Sequence, residues 1–110
     1  GLGAPRTEVL TGSLGFGDGF YGLGQLSDGY TYTWSAGDHV VIALDSNQFD
    51  TYLVVRTPSG REIINDDDPS TGTLNSRIDT VLSESGTFQV VATSYSPGML
   101  GDYRLTITAP

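Results

Sequence analysis

The chain has 110 residues, with 13 acidic side chains against five arginines, no cysteine and a net charge of −8 at pH 7. This length suits one domain, residues 1–110, built on a single core. The charge argues against nucleic acid and anionic membrane surfaces, both of which need clustered Lys and Arg, and a chain without cysteine forms neither a disulfide nor a thiolate metal site.

In chain order, "TEVLTGSL" (7–14) reads as an opening strand. "GFGDGFYGLGQLSDG" (15–29) follows, rich in glycine and with one formal G-x-G-x-x-G match from Gly17 to Gly22. A dinucleotide fingerprint must close a strand and open a helix. No helical stripe follows, so the segment reads as a flexible loop between strands. Its Phe16, Phe20 and Tyr21 either tuck against the fold or stand out as a contact surface. "YTYTW" then alternates Tyr30, Tyr32 and Trp34 with threonines, and "HVVIALD" places Val40, Ile42 and Leu44 on one face. "TYLVVRT" sets Leu53 and Val55 against Tyr52 and Val54, "REIIN" follows the turn "TPSG", and "RIDTVL", "TFQVVAT" and "DYRLTIT" complete the series. A period of two, turn signals between short runs and prolines outside the strand interiors predict about eight antiparallel strands in an all-β sandwich or barrel. No apolar run approaches the roughly 18 residues of a membrane span. Starting at Gly1 without a methionine, the chain reads as a processed piece of something longer.

Hydrolysis needs a nucleophile and a base in hydrogen-bond reach. The single histidine, His39, stands at a strand start and reads as an ordinary exposed residue, and no serine lies in a G-x-S-x-G elbow. The expectation is a protein that is not an enzyme. The residues favour a hard cation instead. In "INDDDPSTGTLNSRID", alternation puts Asp66 and Asp68 on one side of an extended loop, with Asp67 opposite and Asp50 near a neighbouring strand start. Pro69 and Gly72 turn the chain back toward Asn75 and Asp79, and Asn65 precedes the run. Calcium takes six to eight such oxygen ligands. The competing reading is a solvated turn whose aspartates bond their own backbone.

Taken together, "GSL" (12–14), "DGYTYTWSAGDHVVIALDSNQFDTYLVV" (28–55), "PSGREIINDDD" (58–68), "NSRIDTVLSESGTFQVVATS" (75–94) and "GDYRLTI" (101–107) resemble, in order, the bacterial pre-peptidase C-terminal domain. The resemblance implies an eight-stranded, jelly-roll-like sandwich related to the collagen-binding domains of clostridial collagenases. It implies a secreted, extracellular, non-catalytic accessory domain beside the catalytic domain of a bacterial peptidase or other hydrolase, assisting its secretion, stability or targeting. The alternative it carries is a module that holds insoluble collagen or polysaccharide through an exposed aromatic face. Calcium (Ca2+) is the implied ion, with Asp50, Asn65, Asp66, Asp67, Asp68, Asn75 and Asp79 as the matching positions. Tyr95 is the implied aromatic contact; Tyr21, in the glycine-rich segment outside the matching motifs, is a second candidate read from the residues alone.

Overall fold

The computed structural model describes residues 6–14, 19–21, 25–65, 75–94 and 101–110. Within them lie nine strands: β1 (Arg6–Leu14), β2 (Gly19–Tyr21), β3 (Gln25–Trp34), β4 (His39–Asp45), β5 (Thr51–Arg56), β6 (Glu62–Asn65), β7 (Ser76–Val81), β8 (Gly86–Ser94) and β9 (Gly101–Ala109). Eight of these are the strands read from the period-two pattern. The ninth, β2, lies inside the glycine-rich segment read as a loop, where Gly19–Tyr21 pairs with Gln25–Ser27 as a hairpin. Three residues with glycine at one end are too short to show alternation.

The strands form a four-stranded sheet, order β1-β9-β4-β7, and a five-stranded sheet, order β2-β3-β8-β5-β6. All pairings are antiparallel. Apart from the β2–β3 and β5–β6 hairpins, each strand is followed by one in the other sheet. Setting the short β2 aside, the order is that of a jelly-roll sandwich.

Alternation explains the core. Val40, Ile42 and Leu44 of β4, with Leu105 and Ile107 of the neighbouring β9, face Leu53 and Val55 of β5 and Phe88 and Val90 of β8, all close to fully buried. Each such side chain contributes about 1.5–3 kcal/mol on leaving water. Trp34 packs tilted on Phe88 with centroids 5.5 Å apart, and Tyr32 stacks on Trp34 at 5.0 Å.

The turns at one end are tightly tied. In "SAGD" the Ser35 amide donates to Asp38 Oδ2 at 2.9 Å, and Gly37 takes the positive φ of 93° that the turn requires. That amide holds the Asp38 carboxyl below its ordinary pKa. The β5–β6 turn is clamped to the β7–β8 loop by Glu84, which accepts from Ser59 Oγ at 2.9 Å, Ser59 N at 3.0 Å and Arg61 Nε at 3.3 Å. The Ser59 hydroxyl leads in lowering the Glu84 pKa, with the Arg61 charge adding to it. These contacts close one end of the sandwich and leave the other to a different chemistry.

Candidate functional site

At the opposite end, the loop 46–50 connects β4 to β5. Asn75 precedes β7, and Gly101 and Asp102 open β9. Cross-chain hydrogen bonds hold the loop. Ser46 N donates to Asn75 Oδ1 at 3.0 Å, and Ser46 Oγ donates to the Asp102 carbonyl at 2.7 Å. The Gln48 amide donates to Ser46 Oγ at 3.1 Å, while Gln48 Oε1 accepts from the Asp102 amide at 2.9 Å. Phe49 anchors the loop from beneath, only 6% exposed. Gly101 is required here: at φ 145° a Cβ would lie 2.6 Å from Gln48 Oε1. These contacts tie the loop to Asn75 and to the start of β9, while Asn47 and Gln48 are exposed.

Beside this loop the outer face of the four-stranded sheet forms an open groove of about 760 Å³, lined by Ser13, Asp45, Asn47, Asn75, Asp102 and Arg104 among others. Ser13 Oγ donates to Asp102 Oδ1. Asp45 and Arg104 lie directly opposite each other in the β4–β9 register. The groove presents two carboxylates, one guanidinium and a set of amides and hydroxyls, which is a surface for polar recognition.

Beneath its floor runs a hydrogen-bonded chain that ties the two sheets. The Tyr103 hydroxyl donates to Asp28 Oδ2 at 2.6 Å, so the Tyr30 hydroxyl, 2.5 Å away, donates to Tyr103. Gly12 makes this possible, because a Cβ there would lie 2.5 Å from the Tyr103 hydroxyl oxygen. Burial, then the bond to Asp28, pushes the Tyr103 phenol far above its ordinary pKa. Tyr32, half-buried and donating to Glu8 Oε1 at 3.1 Å, is pushed up to about 12, chiefly by burial.

Of the residues expected to bind calcium, the structure describes Asp50, Asn65, Asn75 and Asp79. Asp66, Asp67 and Asp68 lie outside the described residues. Asp50 and Asn75 are brought together, since the residues that follow them, Thr51 and Ser76, share a buried hydrogen bond of 2.6 Å. The amide oxygens of Asn65 and Asn75 serve as anchors, accepting from Arg77 N at 3.1 Å and Ser46 N at 3.0 Å. Asp79 is elsewhere: it faces outward on β7, paired with His39 Nε2 and near Arg77. Four residues of strand put it about 13 Å along β7 from Asn75. Among the described residues no three His, Cys, Asp or Glu side chains gather as a metal site. Tyr95 lies outside the described residues, and of Tyr21 only its place in β2 opposite Gln25 is described.

An exposed aromatic platform does not emerge among the described side chains. Trp34, Phe49, Phe88 and Tyr103 are buried, and Tyr30, Tyr32 and Tyr52 are half-buried. The residues that sequence reasoning missed are Ser46, Gln48 and Asp102, whose partners lie far away in the chain, and Asp28. A signal for Asp28 was present: in "SDGYTYTW" its parity places a carboxylate on the same inward face as Tyr30, Tyr32 and Trp34.

Fold and groove together define a jelly-roll β-sandwich with a rigid polar end. No family model matches the chain, and no curated protein matches it. The resemblance to the pre-peptidase C-terminal domain therefore rests on its motifs. Among solved structures the chain is similar to Aeromonas hydrophila PliG, a periplasmic lysozyme inhibitor of g-type lysozyme, with a TM-score of 0.66 and 15% identity over 94% of this chain and 86% of that one. At that identity the likeness speaks for the fold. It also corrects the expected role as a peptidase accessory or substrate-targeting domain: a solved protein that shares this fold along nearly the whole chain is a lysozyme inhibitor.

Proposed function

We propose that the chain is an exported, non-catalytic protein-binding domain that acts as an enzyme inhibitor, engaging its target through the loop 46–50 and the groove beside it. The observation that carries this reading is the pinned loop. A binding loop fixed in advance loses little conformational entropy on association, which is the physical advantage of rigid inhibitors. The likeness to an inhibitor of g-type lysozyme supports the class of target and the exported setting. The net charge of −8 supports a basic partner, because opposite net charges speed encounter and favour correct orientation.

The test is lysis of peptidoglycan by a g-type lysozyme with the chain added in increasing ratio. Lysis is expected to fall as the chain approaches stoichiometry, and to recover when Asn47 and Gln48 are both replaced by arginine. Undiminished lysis at large molar excess, together with no binding heat, contradicts the proposal.

A further inference from the structure

The groove beside the loop 46–50 holds charges that the fold leaves unpaired. Outward side chains fall there in cross-strand rows. Thr11, Arg104 and Asp45 lie abreast on β1, β9 and β4, and Ser13 stands opposite Asp102 in the next row. Among the described residues lining the groove are two carboxylates and one guanidinium, so one negative charge is left over. The two carboxylates are not equivalent. Asp102 accepts from Ser13 Oγ, and its backbone is bonded to Ser46 and Gln48. Asp45 is half-buried and makes neither a hydrogen bond nor an ion pair. Ion pairs among the described residues join His39 to Asp79, Arg56 to Glu62, Arg61 to Glu84 and Arg77 to Asp79, and neither Asp45 nor Arg104 takes part. A half-buried carboxylate without a partner gives up hydration and receives nothing from the fold in return.

We propose that Asp45 determines the specificity of the groove by receiving a lysine or arginine side chain of the target enzyme. This rests on the inhibitory reading above and names the contact through which it acts. The incoming cation cancels the charge left over in the groove. Asn47, exposed in the same lining, offers an amide oxygen to its remaining N–H groups. Because Asp45 is already partly withdrawn from water, the pair forms where solvent screens it less than on an open surface. A free metal ion is disfavoured, since no third carboxylate gathers among the described residues and the Arg104 charge lies on the neighbouring strand. A side chain carried in by a docked protein meets no such limit, because the rest of the interface holds it in place.

Calorimetry of the full chain with a g-type lysozyme, at low and at physiological salt, tests this. Asp45→Asn keeps the shape of the side chain and breaks no bond of the fold, so the melting temperature is expected to hold. Its affinity is expected to fall about tenfold or more and to depend less on salt. Glu62→Gln removes the same charge on β6, away from the groove, and is expected to change affinity by at most about threefold. Equal losses from the two variants overturn the proposal, because net charge alone would then be acting. So does an Asp45→Asn chain that binds and inhibits as the starting chain does, a result that leaves the inhibitory reading standing. A starting chain that neither binds nor inhibits removes that reading and the proposal with it.

Discussion

The two sheets turn very different outer faces to their surroundings. On the five-stranded sheet, Val54 of β5 and Val91 of β8 point away from the core, yet they are 0% and 4% exposed. On the four-stranded sheet the outward valines Val9 and Val81 are more than half exposed. The buried pair lies on interior strands, β5 and β8, and the open pair on the edge strands β1 and β7. Outward position in an antiparallel sheet therefore does not mean wet, and a valine's contribution to stability depends on whether its strand is interior or at an edge.

The largest expected effect breaks this contrast directly. Val54→Asp places an unpaired charge in a fully buried site and is expected to cost at least about 3 kcal/mol, against within about 0.5 kcal/mol for Val81→Asp, measured by denaturant unfolding. Equal costs would erase the difference between the faces. Next in size is the tie between the sheets. Tyr103→Phe removes the hydroxyl bonded to Asp28 and Tyr30 and is expected to cost about 1–3 kcal/mol. Gly12→Ala, which drives a methyl group into that hydroxyl, costs a similar amount.

Alkaline titration sharpens the same region. Both raised phenols stay protonated in the folded chain where an unfolded phenol, ordinary near 10, ionises. Folding thus binds extra protons above that value, and stability falls as pH rises from about 10 toward the Tyr32 value of about 12. An ultraviolet titration with all tyrosines ionising together near 10 in the folded state would contradict it. At the acid side, Asp38 and Glu84 have lowered values, so the stability they lend is present above the ordinary carboxylate range and is lost as pH falls through their folded values.

The smallest effects concern the loop end. Asn75→Ala and Gln48→Ala each remove one anchor and are expected to cost about 1 kcal/mol. Because these side chains hold backbone, the loss of melting temperature is the same in chelator and in millimolar calcium. A loss seen only with calcium would return Asn75 to the role of metal ligand.

Much of the fold was legible in the chain. The inward set of β4, Val40, Ile42 and Leu44, follows from alternation alone, as do Leu53, Val55, Phe88 and Val90. Val54 was legible as the opposite face of β5 but not as buried, because a period of two separates faces without saying which meets water. The site was less readable. Gln48 and Asp102 are 54 positions apart, and only the jelly-roll crossing places them side by side. Asp79, close to Asn75 in sequence, lies farther along β7, where it pairs with His39 Nε2 and stands near Arg77, an arrangement that spacing along the chain does not show.

Hydrogen exchange of the chain, alone and with a g-type lysozyme, tests the central claim most directly. The account expects slower exchange on binding at the loop 46–50 and at the start of β9, with β3, β5 and β8 unchanged. Unaltered exchange at that loop in a complex that does form would contradict it.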